Sequence, residues 1–322
     1  MKAICVFSGG LDSLLSAQII RKQDIEVIGV FFKTPFFTPE KAIKYAKLID
    51  LPLKIVDITE DHLKIIKSPK YGYGENMNPC IDCHILMFKK AAEIMEKEKA
   101  DFVISGEVLG QRPMSQNRKA LYLIAKESGL GRLLLRPLSA KLLPITIPEE
   151  KEWVKREMLF DFHGRSRKPQ MELAKRLGIS EYPSPAGGCL LTDKGFSARL
   201  KDLMELSEEL KIRDIELLKI GRHFRIDKDT KVIVGRNRKE NQMIKELGSD
   251  EIILEPKDIP GPVALLIGDK NERNLKLALD LVATYCNIKP HTCIDILIYS
   301  SSFRGILKGK AHEKMHFHGL LV

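Results

Sequence analysis

Six residues, Ser8-Gly9-Gly10-Leu11-Asp12-Ser13, constrain what the rest of this chain can become. They follow Lys2-Ala3-Ile4-Cys5-Val6-Phe7, a short apolar run that reads as a buried strand. They precede Leu14-Leu15-Ser16-Ala17-Gln18-Ile19-Ile20-Arg21, which reads as a helix. Paired glycines let the backbone turn tightly and approach a ligand with no Cβ in the way. The helix start then offers unpaired N–H groups and a partial positive charge. Strand, glycine turn and helix N-terminus together make an anion site suited to phosphate or pyrophosphate, with Ser8 and Ser13 as added hydroxyl donors. Asp12 is at odds with a bare phosphate cradle because its charge repels phosphate; a Mg²⁺ held between carboxylate and phosphate reconciles the two. The plainer alternative is a helix capped by Asp12 or Ser13 after a glycine turn.

The chain continues in the same style. Residues 25–33 read as a second strand and Leu53–Asp57 as a third. Between them, Glu40–Ile49 reads as a helix with Thr38 as cap and Pro39 at its first position. Phe102–Ser105 is a further strand. Strands alternating with helices over short connections predict an α/β fold: a parallel sheet with helices on both faces. Ligands in such sheets bind at the carboxyl ends of the strands, where the Gly9-Gly10 turn lies. Gly106 ends a strand at that same edge, followed by Glu107, Arg112 and Gln116. Arg112 there is either a phosphate partner or a solvated surface residue.

With 322 residues, 44% hydrophobic and 30% charged, the composition is that of a soluble globular protein of about two domains. No window approaches the roughly 18 apolar residues of a membrane span, and no signal peptide fits before the first strand, so a cytoplasmic location with no membrane partner is expected. Six cysteines in such a chain should not form a disulfide framework. Cys5 belongs to the core. Cys286 and Cys293, flanking Pro290 and His291, match no common metal-ligand spacing. The other three differ. A long Gly- and Pro-punctuated loop over 68–79 delivers Cys80-Ile81-Asp82-Cys83 at the start of a helix running to Lys97, where the helix terminus favours thiolate. Cys189 follows Pro183, Pro185, Gly187 and Gly188, which suit a tight loop. Three thiolates from two loops suit an iron–sulfur cluster with one iron left open. A persulfide pair, or three inert thiols, would use the same residues.

Ser-Gly-Gly-Leu-Asp-Ser directly after the first strand resembles the PP-loop of the ATP pyrophosphatases, whose fold is adenine nucleotide α-hydrolase-like. It lacks the Gly-Lys-Ser/Thr ending of a Walker A motif. The resemblance implies that Ser8, Gly9, Gly10, Asp12 and Ser13, aided by Gly106 and Arg112, bind ATP and Mg²⁺ while the α-phosphate passes to a substrate oxygen as AMP. Cys-x-x-Cys with a lone distant Cys is similar to the cluster-dependent tRNA thiolases of that family. This implies that Cys80, Cys83 and Cys189 ligate a 4Fe-4S cluster and act with Asp12 in catalysis. ATP would adenylate a uridine carbonyl oxygen, and sulfur from sulfide or a persulfide carrier protein would displace AMP. Arg136-Pro137-Leu138 resembles a segment that follows the nucleotide region of thiolases, which makes Arg136 and Lys141 candidate phosphate or RNA contacts. Two other readings fit the motifs: an amidating or desulfurating PP-loop enzyme acting on a small molecule, and a non-catalytic RNA- or ribosome-binding adaptor.

The formal net charge of +10 and pI near 9.2 favour a polyanionic partner such as tRNA. Positive charge concentrates over 163–176, with Arg165, Arg167 and Lys168 as RNA candidates or as a solvated face. After Asp193 the pattern changes. Phe196–Lys211 reads as a charged amphipathic helix, and Lys231–Val234 and Ala264–Ile267 as short strands. The expected division is 1–195 for chemistry, a linker helix over 196–214, and a smaller α+β domain over 215–322. Within the last, Gly221–Arg225 through Val234-Gly235-Arg236-Asn237 to Asn241 resembles the RNA-binding domain of the NFACT ribosome quality-control proteins. That implies RNA contacts from Arg222, Arg225, Arg236, Asn237, Arg238 and Lys239; a hairpin turning at Gly235 would explain the motif without RNA.

Overall fold

The computed structural model describes residues 1–184, 189–207 and 209–322, which form two compact units, Met1–Thr192 and Asp193–Val322. In the first unit the strands are β1 (Lys2–Val6), β2 (Glu26–Lys33), β3 (Leu53–Asp57), β4 (Phe102–Ser105) and β5 (Leu134–Leu135). The helices are α1 (Leu11–Arg21), α2 (Glu40–Leu48), α3 (Thr59–Lys67), α4 (Cys80–Lys97), α5 (Arg118–Glu127), α6 (Ile147–Glu150) and α7 (Lys168–Arg176). All strand pairings are parallel, in the order β3-β2-β1-β4-β5.

Alternation along β1 explains its continuous apolar run. Ala3, Cys5 and Phe7 point into a core shared with α1 and α2, whereas Ile4 points into a second core shared with α4 and α5. A strand buried on both faces has no polar face to display. Because β1 lies between β2 and β4, the chain leaves it in opposite directions on its two sides. The crevice at the carboxyl ends of β1 and β4 is therefore the switch point at which such sheets bind ligands.

Parts of this unit depart from the sequence reading. Pro39, not Thr38, occupies the cap position of α2, with φ −83° and no side-chain cap bond. Helix α3 carries little pattern in the sequence, being nine residues long and nearly half charged.

The second unit contains α8 (Lys194–Leu206), α9 (Ile212–Leu218), β6 (Arg222–Arg225), β7 (Lys231–Val234), α10 (Arg238–Leu247), β8 (Ile252–Pro256), β9 (Ala264–Ile267), α11 (Glu272–Thr284), β10 (Cys293–Tyr299) and β11 (Arg304–Lys310). Its six strands form one antiparallel sheet, β11-β10-β8-β9-β7-β6. Helix α11 packs on one face; α9 and α10 pack on the other. The charged helix expected over 196–211 ends at Leu206, where Ser207 turns back to bond Glu209 through its hydroxyl. It is tied into this unit by Asp202, which accepts from Arg225 Nε (2.9 Å), Arg225 Nη2 (2.7 Å) and Lys231 Nζ (2.7 Å). Arg225 and Lys231 are direct partners across the β6–β7 ladder, where like charges repel, and the carboxylate of α8 neutralises that pair.

Candidate active site

Of the two glycines in the turn after β1, Gly9 is the one that the backbone requires. Gly9 has φ +74°, and a Cβ there would lie 2.7 Å from the backbone of Ala42 at the start of α2. Gly10 is the cap residue of α1, and no side chain caps that helix. The alternative of a capping Asp12 or Ser13 is thus not what forms: the Ser13 hydroxyl donates instead to Gly10 O at 2.8 Å, and the Gly10 amide donates to Ser8 Oγ at 3.3 Å. With no side chain satisfying them, the first-turn amides of α1 are left for an anion. Gly106 forms the opposite wall. A Cβ there would lie 2.6 Å from Ser13 N and from the Asp12 carbonyl carbon, so only glycine lets the end of β4 lie against this turn.

Asp12 is half-buried beside the turn. Its Oδ2 accepts from Gln111 Nε2 at 3.2 Å, while its Oδ1 is buried with no hydrogen-bond partner among the described residues. Burial pushes the carboxyl pKa up; Gln111, the charges of Arg167 and Arg112, and the nearby Gln170 amide pull against it. The orphaned carboxylate oxygen is a ligand that fits Mg²⁺, while the helix amides and the two guanidinium groups suit phosphate. Gln111, Arg167 and Gln170 thus join the site in space. Gln111 and Gln170 were missed in sequence, since neither belongs to a motif. Arg167, expected on RNA, lies instead within electrostatic reach of Asp12.

The cysteines are organised by the 68–79 loop. Asp82, in the first turn of α4, accepts the Lys70 and Tyr71 amides at 3.0 Å each and fixes the loop over the helix start. Asn78 then donates to Cys80 Sγ at 3.1 Å. Asn76 Nδ2 reaches Thr192 O at 3.0 Å, and Thr192 in turn holds Cys189 O through its amide and hydroxyl. Burial pushes the Cys83 thiol up, and the neighbouring Cys189 and Cys80 raise it further. Burial likewise pushes Cys189 up to about 12, with Cys80 adding to the rise and the charge of Arg112 opposing it. The three sulfurs therefore share one electrostatic neighbourhood, and Arg112 lies within reach of both that neighbourhood and Asp12. All six cysteines are free thiols, and no group of three His, Cys, Asp or Glu among the described residues is gathered tightly enough to hold a metal ion. Pro185, Gly187 and Gly188, expected to shape the Cys189 loop, lie outside the described residues. Cys286 is buried against Val282 O, whereas Cys293 is exposed, so the two do not form a pair.

Several expected RNA contacts are placed otherwise. Arg136 is 6% exposed, its Nε 2.7 Å from Glu107 Oε2 and its Nη2 donating to Leu121 O. Burial would raise the Glu107 carboxyl, but the Arg136 charge and His84, whose Nδ1 is 2.8 Å from Glu107 Oε1, outweigh it and hold the pKa at about 2. Arg136 is therefore a structural partner, not a group facing RNA. In the second unit Arg225 is engaged by Asp202, Arg236 is paired with Glu240, and Asn237 caps α10 by accepting from the Glu240 amide at 3.0 Å. Arg222 lies over the Tyr285 ring at 4.8 Å. Arg238 and Lys239 are exposed, as are Lys141, Arg165 and Lys168 in the first unit, Lys141 resting its Nζ on Glu157 O.

Comparison with known proteins follows these two units. Residues 1–141 match the family described as thiamine biosynthesis protein (ThiI), and residues 221–314 match the NFACT protein RNA binding domain. The first match falls within the first unit and the second within the second unit. The chain is 28% identical over 251 residues to a tRNA-specific 2-thiouridylase MnmA of Petrotoga mobilis, covering 69% of this chain and 64% of that protein. It is 31% identical over 150 residues to a probable tRNA sulfurtransferase of Thermoanaerobacter sp., covering 42% of this chain and 36% of the relative. The chain thus spans less than two thirds of these curated relatives. A crystal structure of a 4-thiouridine synthetase–RNA complex with bound ATP aligns with 21% identity and a TM-score of 0.35, covering 55% of this chain and 51% of the other.

Proposed function

We propose that this chain is a cytoplasmic, ATP-dependent tRNA sulfurtransferase, with the chemistry in residues 1–195 and RNA gripped in part by 215–322. The observation that carries the reading is the loop bearing Arg112: its Gln111 donates to Asp12 Oδ2 at 3.2 Å, and Asn78 donates both to Cys80 Sγ at 3.1 Å and to Met114 Sδ of that loop at 3.8 Å. An anion site and a sulfur site that share one loop suit a reaction that first activates an oxygen and then replaces it with sulfur. A uridine carbonyl oxygen leaves poorly. Its attack on the α-phosphorus of ATP expels pyrophosphate and converts it to a phosphate ester. A sulfur nucleophile then adds to the same carbon, and AMP departs with the oxygen.

The amides of α1 and the Arg112 and Arg167 guanidiniums neutralise the phosphates in the first step. Mg²⁺ would be held through Asp12 Oδ1 and supply further charge neutralisation at the pyrophosphate. Cys80, Cys83 and Cys189, too far apart for a single ion, would supply three thiolates to the wider 4Fe-4S cluster, which would provide a binding place for sulfide. The persulfide alternative uses Cys189 as carrier and Cys80 or Cys83 to resolve it as a disulfide.

Nucleoside mass spectrometry of a deletion strain tests the function: one thiolated nucleoside disappears. An unchanged profile rejects it. In vitro, Asp12→Ala should abolish AMP and pyrophosphate release, while Cys189→Ala should stop thiolation and leave adenylation largely intact. Anaerobic reconstitution with iron and sulfide separates the two sulfur chemistries by the visible spectrum.

A further inference from the structure

Helix α5 turns Leu121 and Ile124 into the core and displays Arg118, Lys119, Tyr122 and Lys126 on its outer side, all exposed. Arg118, Tyr122 and Lys126 are four residues apart and so follow one line along the helix, spanning roughly 12 Å. Tyr122 is 72% exposed, whereas Tyr45 in the same unit is 7% exposed. The nearby salt bridges stop short of this face. Glu127, the one carboxylate of α5, pairs with Lys70, and Arg132 pairs with Glu150, leaving Arg118, Lys119 and Lys126 without a salt bridge among the described residues.

Fold stability does not account for this arrangement. The first turn of α5 contains no acidic residue, and Arg118 and Lys119 occupy the end of the helix where its dipole opposes positive charge. A large aromatic ring left in water contributes nothing to the core. Cations placed against the dipole beside an exposed ring make sense for a polyanion that also presents stacking surfaces, which is RNA.

The position supports the same partner. Asn117 caps α5 by accepting from the Ala120 amide at 2.9 Å, and its Nδ2 donates to Pro113 O and Met114 O at 2.8 and 3.3 Å. Gly110 N donates to Gln116 O at 2.7 Å. The loop so fixed carries Gln111 and Arg112 to Asp12. The basic line therefore starts where the phosphate site ends.

We propose that the outer face of α5 is a docking surface for the RNA substrate, its cations on backbone phosphates and Tyr122 stacked on an unpaired base. The proposal rests on the reading of tRNA as substrate. In the full-length protein, binding of an unmodified tRNA transcript is measured by fluorescence anisotropy over a salt series for R118A/K119A/K126A, Y122A and Y122F. Affinity for a non-hydrolysable ATP analogue serves as the folding control. The triple variant should lose at least about tenfold in tRNA affinity and flatten the log–log salt slope by about 2. Y122A should lose roughly five- to tenfold, and Y122F should bind like the parent, because phenylalanine stacks as well. Unchanged affinity and slope in the triple variant would overturn the proposal and point to an acidic protein as occupant of this face. Equal losses in Y122A and Y122F would overturn the stacking role. A parent protein with no tRNA affinity would instead bring down the substrate reading itself.

Discussion

Arg136 and Glu107 are each almost wholly withdrawn from water, so neither can be removed alone without leaving the other as a buried, unpaired charge. Arg136→Met should therefore destabilise the first unit by about 3–5 kcal/mol. The double change Arg136→Met, Glu107→Gln should recover much of that, because the remaining amide can still bond His84. Urea unfolding checks both. tRNA affinity of the folded Arg136→Met protein should match the parent; a selective loss of affinity with normal stability would restore Arg136 as an RNA contact. Gly106 makes a second case at this scale. Alanine there sets a Cβ 2.6 Å from the backbone of Asp12 and Ser13, which no side-chain rotation can relieve. Gly106→Ala should cost about 1–3 kcal/mol and displace the anion turn. Thermal melts with and without an ATP analogue should then show a lowered Tm and little shift on adding the ligand; a normal ligand shift would show that the turn tolerates the methyl group.

At the scale of elements, the strands β1 to β4 are legible because each buries a short apolar run inside a parallel sheet, and the glycine turn is legible because its chemistry is local. The partners of Asp12 are not. Gln111 lies 99 residues away and becomes a neighbour only when β4 is laid beside β1, a juxtaposition no local pattern encodes. The same holds for Cys189, whose carbonyl is held by Thr192, itself bonded by Asn76 116 residues away. The strands of the second unit are legible only in part, since β6 to β9 are four or five residues long and leave little pattern to count. Its Gly-Arg-Asn signature was legible as a motif but not as to purpose. Gly235 is required because a Cβ would lie 2.2 Å from Asn241 Oδ1, and Asn241 staples α10 to the sheet by accepting from Val263 N at 3.1 Å and donating to Gly261 O at 3.2 Å. Much of the signature thus builds the turn between β7 and α10. Asn241→Ala should destabilise the second unit by about 1–3 kcal/mol, through the amide left unsatisfied at Val263. Circular dichroism during urea unfolding measures this. No loss of stability would return Asn241 to the surface as a residue kept for binding.

Over the whole molecule, acid acts on the two units through different groups. In the first, His62 is buried against the rings of Phe36 and Phe37 with both ring nitrogens unbonded among the described residues, and burial lowers its pKa to about 4. In the second, burial above all lowers His223 to about 3, with the Lys231 charge adding to the shift. An unfolded histidine titrates near 6.5, so below that pH the unfolded chain binds a proton that the folded chain refuses. Stability contributed by keeping these rings neutral is present above pH 6.5 or so and is lost as pH falls, by up to about 1.4 kcal/mol per pH unit for each. Glu107, held at about 2, contributes stability that is present above its ordinary range near 4.3 and is lost as pH falls towards 2. The first unit should therefore weaken in two stages, through His62 from about pH 6.5 to 4 and through Glu107 below that. The chain's single tryptophan, Trp153, stacks near Phe102 in the first unit and reports on it alone. Tryptophan-detected urea midpoints should fall steadily from pH 7 to pH 4 in the parent, and His62→Phe should flatten that fall because phenylalanine has no proton to bind. His223→Phe should leave the tryptophan-detected slope as it was and flatten the loss seen in the second unit's circular dichroism transition. An unaltered slope in His62→Phe would mean that some other group governs the acid response of the first unit.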